Sequence, residues 1–183
     1  MYHLKTRRKI ILTIIFIFLF DMFTDELIEL LISTPKTIVD APKEVQGRSS
    51  HMKKNFTLVS IDGNYSFGGF ITQNRMFTEN FSIGLVYNPK GEKGSIILLR
   101  CNGTHGPTED MPHHNSPHIH KATKDRIDMG LFAAGNIEIT TSYATYEDAI
   151  QFYVKTIGLI VVDRLKYFPV PSGQQGLFDN LGG

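Results

Sequence analysis

Hydrophobic and polar positions alternate through the middle of the chain, a pattern that predicts a run of β-strands. Segments 56–61 and 65–73 flank an Asp-Gly-Asn turn at 62–64, and a hairpin is predicted there because Gly and Asn adopt positive φ at little cost. Alternation returns over 81–87, and a turn then leads to a further strand over 95–101. The middle of the chain is therefore predicted to be a meander.

Helical spacing of apolar residues marks the two sides of this meander. The first helix is predicted over 24–33, with acidic residues in its first turn and an end before Pro35. The second is predicted over 146–157, where Thr145 is the N-cap and Asp148 completes a capping-box-like pattern. The expected fold is α+β, with a largely antiparallel sheet and an N-terminal and a C-terminal helix packed on it.

The segment from Asn102 to Pro117 has a different character, because Met111 is almost its only apolar residue. It is predicted to be a long irregular loop, and such loops are uncommon unless they are functional. Asn102-Gly103 is interpreted as a strand end that needs positive φ rather than as a phosphate-approach turn. Short strands are predicted after the loop, over 118–122 and 137–142.

Length and composition indicate one globular domain. The chain has 183 residues, 42% of them hydrophobic and 20% charged, which argues against general disorder and against a multi-span membrane protein. A formal net charge of +1 restricts any nucleic-acid site to a local surface. Since Cys101 is the single cysteine, neither a disulfide framework nor a cysteine-based zinc site is expected, and the cytoplasm is the expected location.

The N-terminus permits three interpretations. Basic residues precede an apolar run over 10–20, which resembles a signal peptide or a short anchor. The run is shorter than the roughly 18 to 20 residues that cross a bilayer. The favoured interpretation is therefore that translation starts at Met22. The alternative is that the protein associates with a membrane through residues 10–20. The predicted organisation is an extension over 1–21, one domain over 22–168 and a flexible tail over 169–183.

Five of the seven histidines lie between positions 105 and 120. Histidine exchanges protons near neutral pH and is also the commonest metal ligand. His118 and His120 are predicted to share one face of a strand while Ile119 faces the core. Arg100 offers a planar cation suited to phosphate, and Lys121 and Lys124 are predicted to contact nucleic acid. The clustered histidines are His105, His113, His114, His118 and His120.

Two kinds of site fit these residues. In a metal-free ribonuclease, histidines would transfer the protons and Arg100 would stabilise the charged phosphorane. In a metal site, His118, His120 and one of His105, His113 or His114 would bind zinc or another divalent ion and leave a position open for water. Glu109 and Asp110 are further candidate ligands for this metal. A solvated loop that is merely rich in histidine is the structural alternative.

Other side chains are given structural interpretations. Cys101 beside His105 suggests a thiol nucleophile, but a buried small residue is preferred because no oriented triad is evident. Four phenylalanines could stack on nucleic-acid bases if they were exposed, although strand positions usually bury them. These are Phe67, Phe70, Phe77 and Phe81.

The run Arg100-Cys101-Asn102-Gly103-Thr104-His105, followed by His118-Ile119-His120, resembles an uncharacterised bacterial domain family with Arg-x-Asn-Gly-x-His and His-x-His motifs. The order of elements over 54–157 more distantly resembles the TumE-type toxins of toxin-antitoxin systems. The resemblance implies a small cytoplasmic effector of bacterial or phage origin that acts on RNA and is controlled by an antitoxin protein. The TumE-type pattern has an acidic residue where Asn102 stands, so a role that needs this carboxylate does not transfer.

The C-terminal tail carries one short motif. Gln174, Leu177 and Phe178 resemble the peptide with which bacterial proteins dock onto the replication sliding clamp, with two apolar side chains in a pocket and a glutamine as anchor. The alternative is a loose apolar patch folded onto the domain. For the whole chain, the leading hypothesis is a toxin-like ribonuclease using Arg100, His105, His118 and His120, and the rival is a non-enzymatic regulatory module with a histidine metal site.

Overall fold

The computed structural model describes residues 23–45, 50–90, 94–106, 111–132 and 135–170. These residues form seven strands, four α-helices and one 3₁₀ turn. The strands are β1 (Lys36–Glu44), β2 (His51–Ser60), β3 (Ser66–Asn74), β4 (Phe81–Tyr87), β5 (Ile96–Asn102), β6 (His118–Lys121) and β7 (Asn136–Ile139). The helices are α1 (Asp25–Ser33), α2 (Lys124–Asp128), α3 (Tyr146–Thr156) and α4 (Val161–Tyr167), and the 3₁₀ turn is Pro112–Asn115.

The sheet is a meander in which each strand pairs antiparallel with the next, in the order β1 to β7. The predicted hairpin turn between β2 and β3 is confirmed, with Gly63 at a φ of 73°, a conformation that L side chains rarely adopt. The second predicted hairpin joins β4 to β5. The α+β fold expected from the sequence is confirmed.

Both predicted helices are confirmed, and both pack on the sheet. Thr24 and Thr145 cap them, each accepting a hydrogen bond from the backbone N–H three residues further on. The buried residues of α1 and α3 join those of the strands in one hydrophobic core, and the Tyr153 hydroxyl of α3 donates to the Gly84 carbonyl oxygen at 2.9 Å. Burial of this apolar surface is the main stabilising contribution.

Pairing across the central strands separates the two faces of the sheet. One row runs through Ile71, Ile83, Cys101 and Ile119, from β3 to β6, and belongs to the core, with Ile119 partly buried. The neighbouring row runs through Phe70, Gly84, Arg100 and His120. We call the first side the covered face and the second side the open face, where side chains such as Phe70 and Arg100 are only half-buried.

The alternation pattern misses three elements. Strand β1 contains Pro42 and two register irregularities, features that suit an edge strand and obscure its periodicity. Residues 46–49, which follow this strand, lie outside the described part of the chain. The other two elements, α2 and α4, are short helices of five and seven residues.

Gly103 is needed for a reason other than the expected one. It does not have positive φ, but a Cβ there would lie 1.9 Å from the carbonyl oxygen of Glu79. Close approach of two backbone segments therefore requires the glycine. Gly106, with φ of 84°, does occupy the left-handed region.

Lys36 is a charged residue in the core. It has no exposed surface, and its Nζ donates to the carbonyl oxygens of Ile32, Thr34 and Ile157 at 2.8 to 2.9 Å. These acceptors lie at the C-terminal ends of α1 and α3, where carbonyl groups lack helical partners and favour a cation. Lys36 thus joins two helix ends to the first strand.

None of the helices in the described part of the chain is long and apolar enough to cross a bilayer. The predicted extension over 1–21 lies outside these residues.

Candidate functional site

Strands β5 and β6 build the base of the histidine cluster. Asn102 pairs with His118 and Arg100 pairs with His120, so all four side chains project from the open face. Ile119, between the two histidines, packs against the core. The prediction that His118 and His120 share one face while Ile119 faces inward is therefore confirmed.

The 3₁₀ turn brings two further histidines over β6. Its residues His113 and His114 approach His118 with ring centroids 5.0 and 5.6 Å away. The loop after β5 adds His105, whose ring lies 3.9 Å from that of His114 and whose backbone N–H donates to the His114 carbonyl oxygen at 3.0 Å. The sequence left open which loop histidine would join the site, and in the structure all three do.

The five rings form two overlapping groups of potential metal ligands. One comprises His105, His114 and His118, and the other comprises His113, His118 and His120. Within each group, the potential ligand nitrogens lie within 4.8 Å of one another. A zinc ion bound tetrahedrally at about 2.05 Å holds its nitrogens about 3.3 Å apart, so small side-chain rotations would close either group around an ion.

Hydrogen bonds to backbone carbonyl oxygens fix two rings of the first group. Nδ1 of His105 donates to the Gly103 carbonyl oxygen at 2.9 Å, and Nδ1 of His118 donates to the Ser116 carbonyl oxygen at 2.8 Å. A carbonyl can only accept, so in the neutral rings the proton is on Nδ1 and the lone pair is on Nε2, the nitrogen that could bind a metal. Such outer hydrogen bonds fix the tautomer and orientation of metal-binding histidines.

His120 is held differently. Its Nδ1 lies 3.3 Å from Nη2 of Arg100, and because guanidinium can only donate, Nδ1 accepts and the neutral ring carries its proton on Nε2. The neighbouring positive charge also opposes a cation at this position. The two ends of the cluster therefore differ. At His105 the ring presents an Nε2 lone pair, whereas at His120 the ring lies beside the cation Arg100.

Asn102 and Tyr143 hold the buried end of the cluster. The Asn102 amide lies 3.2 Å from Nε2 of His118, so a metal at this nitrogen requires the amide to turn aside. The Tyr143 hydroxyl shares its hydrogen bond between the carbonyl oxygens of His118, at 2.9 Å, and Asn102, at 3.1 Å. The contacts of Tyr143 were not predicted. This residue lies in the chain after β7, and no local sequence pattern relates it to β5 or β6.

Burial changes the proton affinity of the histidines. It lowers the pKa of His118 to about 4 and that of His120 to about 3, with the neighbouring positive charge of Arg100 as a second cause at His120. Burial also lowers the pKa of His114, and His105 and His113 add to this shift. His118 and His120 are therefore neutral at physiological pH, the form in which histidine binds metal.

Arg100 is a half-buried cation on the open face. Within the described residues its guanidinium makes no salt bridge, and its Nε–H is buried without a hydrogen-bond partner. Burial lowers the pKa of the guanidinium. A buried donor without an acceptor is costly in a folded protein.

The two lysines predicted to contact nucleic acid lie outside the cluster. Lys121 pairs with Glu29 of α1 on the covered side of β6, because it has the opposite strand parity from His118 and His120. Lys124 pairs with Asp128 within α2. The structure therefore does not group these cations with Arg100.

The structure also shows the positions of the cysteine and the phenylalanines considered in the sequence analysis. Cys101 is completely buried, and burial raises the pKa of its thiol to about 12, which confirms the preferred structural interpretation over a nucleophile. Phe67 and Phe81 are core residues, as expected. The same expectation is wrong for Phe70, which is half-buried, and for Phe77, which is exposed. Six candidate residues, Glu109, Asp110, Gln174, Leu177, Phe178 and Met22, lie outside the described part of the chain.

Comparison with known proteins gave no match: no protein-family model, no curated protein and no solved structure matches this chain.

Proposed function

We propose that the protein binds one transition-metal ion, with zinc the best fit, through His105, His114 and His118. The observation that carries this proposal is the convergence of three imidazoles, two of which have Nδ1 bound to backbone carbonyl oxygens. Imidazole ligands suit zinc and related ions. Three protein ligands leave the fourth tetrahedral position for water or substrate, as in catalytic zinc sites.

With this open position, the protein would act as a metal-dependent hydrolase. A bound zinc ion lowers the pKa of its water and generates a nucleophile at neutral pH. Arg100, on the same face of the sheet, would stabilise negative charge on the reacting group. The enzymatic part of this proposal depends on that arrangement, whereas metal binding depends on the histidines alone.

The second candidate is the metal-free ribonuclease with Arg100, His105, His118 and His120. Contact of Arg100 Nη2 with His120 Nδ1 at 3.3 Å supports it, because phosphate could bridge a guanidinium and an imidazole. The lowered pKa values of His118 and His120 weigh against it, since general acid–base catalysis works best with pKa near the operating pH. Toxin activity and control by an antitoxin belong to this candidate and rest on the resemblance.

Metal titration of the full-length chain tests the leading proposal. Zinc stoichiometry after dialysis and the visible spectrum of the cobalt-substituted protein would be measured for wild type, His105→Ala, His114→Ala and His118→Ala. We expect one ion per wild-type chain and at least about a hundredfold weaker binding in each variant, because loss of a ligand exceeds the roughly 10- to 100-fold effect of losing an outer-shell partner.

Three further variants make this test specific. His51→Ala removes a histidine of β2 outside the cluster and should bind metal normally. His113→Ala and His120→Ala should also retain binding, since these residues belong only to the other group. Loss of binding in these two with retention in His105→Ala would move the ion to the second group, and a wild type that binds no ion would contradict the proposal.

Hydrolysis is then measured on a synthetic phosphodiester and on RNA, with and without a chelator. Activity lost on chelation and restored by zinc would support the metal-dependent hydrolase. RNA cleavage that survives chelation and is abolished by His118→Ala and His120→Ala would instead support the metal-free ribonuclease.

A further inference from the structure

Arg100 is a half-buried cation that has no anionic partner among the residues the structure describes. No described carboxylate pairs with it, its Nε–H has no acceptor among the described residues, and its hydrogen bond to His120 is weak, at 3.3 Å. Buried charges in proteins are usually paired, because removing them from water is costly. The residue is therefore arranged for an anionic ligand that supplies acceptor oxygens.

The surrounding sheet surface also suits an anion. On strands β2 to β7, the positions that share the open face with Arg100 include no Asp or Glu and one further cation, Lys53. The side chain that Arg100 contacts is the imidazole of His120. An oxyanion would thus meet no acidic side chain on this surface and could bind the planar fork of the guanidinium with two oxygens.

An aromatic residue lies in the same cross-strand row as this cation, two strands away. Phe70, Gly84 and Arg100 are successive partners across β3, β4 and β5. A Cβ at Gly84 would lie 2.3 Å from the Phe70 ring, so the ring rests over the glycine in the direction of Arg100. Because Gly84 has no side chain, nothing at that position separates the half-buried ring from the guanidinium.

We propose that this part of the open face is a nucleotide subsite, in which Arg100 binds the phosphate and Phe70 stacks on the base. The subsite names a substrate class for the proposed hydrolase. It rests on the proposed function in one respect, because a phosphate oxygen would occupy the open position of the metal. Stacking on an aromatic ring tolerates all bases, so the inference names a nucleoside phosphate and no particular base. A free mononucleotide and a nucleotide within single-stranded RNA share this chemistry.

Binding of four probes to zinc-loaded full-length protein tests the subsite. The probes are inorganic phosphate, uridine, uridine monophosphate and a short single-stranded oligouridylate, each measured by titration calorimetry. Arg100→Gln should weaken uridine monophosphate at least about tenfold, because charge-assisted hydrogen bonds are lost. Phe70→Leu should weaken uridine monophosphate roughly tenfold through lost stacking and leave inorganic phosphate unchanged.

The controls separate this inference from the metal proposal. Lys155→Ala removes an exposed cation of α3 and should leave all affinities unchanged, and circular dichroism of each variant checks folding. Arg100→Gln should bind zinc as wild type does. If zinc does not bind but metal-free protein binds uridine monophosphate in an Arg100- and Phe70-dependent way, the subsite stands and the metal proposal fails.

The oligouridylate distinguishes the two sources of the nucleotide. Much tighter binding of the oligomer than of the monophosphate, with the same dependence on Phe70, assigns the subsite to single-stranded RNA, and equal binding assigns it to a free nucleotide. Absence of nucleotide binding by the wild type, or affinities that neither variant changes, would overturn the inference. Equal losses for inorganic phosphate in both variants would remove Phe70 from it.

Discussion

Neighbouring residues of β5 and β6 serve the two faces of the sheet in different ways. Cys101 and Ile119 face the helices and join the apolar core. Arg100, His118 and His120 face the other way, toward the loop and the 3₁₀ turn. Because strand side chains alternate, four to seven residues of strand provide both a stable core and a polar cluster. Substitutions should therefore separate stability from ligand binding according to strand parity.

The largest expected effect is on the covered face. Ile83→Ala removes a completely buried side chain of β4 and should lower the free energy of unfolding by about 3 kcal/mol. Metal affinity measured well below the melting temperature should stay unchanged. Val86→Ala, on the open side of the same strand and only half-buried, is the matched control and should cost less than about 1 kcal/mol. Equal losses in the two variants would contradict the division between the faces.

The second prediction concerns the contribution of the buried Lys36 side chain to stability. Lys36→Met leaves the carbonyl oxygens of Ile32, Thr34 and Ile157 without their donor, which should destabilise the protein by about 2 kcal/mol. Chemical denaturation measures this loss. Lys124→Met, at an exposed pair in α2, is the control and should cost about 0.5 kcal/mol or less.

The difference in stability between wild type and Lys36→Met should depend on pH in a direction that the pKa of Lys36 determines. Burial lowers the pKa of Lys36 to about 7 from 10.5, so above pH 7 the unfolded chain binds more protons here than the folded one. The cost of burying the charge is then full below pH 7 and is relieved as pH rises toward 10.5. Wild type should gain stability relative to Lys36→Met between pH 7 and 9. A constant difference would mean that the three carbonyl oxygens keep the ammonium charged.

The sequence predicts which face of the sheet each strand residue occupies, but it does not predict how the loop after β5 brings its histidines to the site. Alternation and the Asp-Gly-Asn turn predict the central strands, and the same period of two places His118 and His120 on one face. Convergence of His105, His113 and His114 depends on an irregular segment to which no periodicity applies. The reversed direction of Lys121, in contrast, follows from the parity of β6, which the prediction of a basic surface did not use.

Asn102 offers a gain of function on the open face. Its buried amide lies 3.2 Å from Nε2 of His118, so Asn102→Asp would place a carboxylate where a metal could accept a fourth ligand. We expect roughly tenfold tighter zinc binding, because carboxylate oxygen is a zinc ligand, and lower stability of the metal-free protein, because the buried charge lacks a partner. Competition against a chromophoric chelator measures the affinity. Asn55→Asp, an exposed residue of β2, should leave zinc affinity unchanged, and an equal gain there would indicate a general charge effect.

The smallest expected effect concerns the residue that links the two faces. The ring of Tyr143 packs in the core beside Phe81, while its hydroxyl bonds the carbonyl oxygens of Asn102 and His118. Tyr143→Phe keeps the ring and removes this bond, so we expect about 1 kcal/mol of lost stability. Zinc binding should weaken by about fivefold, less than for loss of a partner of the ligand ring, because the lost bond holds only the backbone of His118. Tyr146→Phe, whose ring packs on the same Phe81, should leave metal affinity unchanged. If Tyr143→Phe alters stability without altering metal affinity, the core and the cluster are held independently, and strand parity alone accounts for their separation.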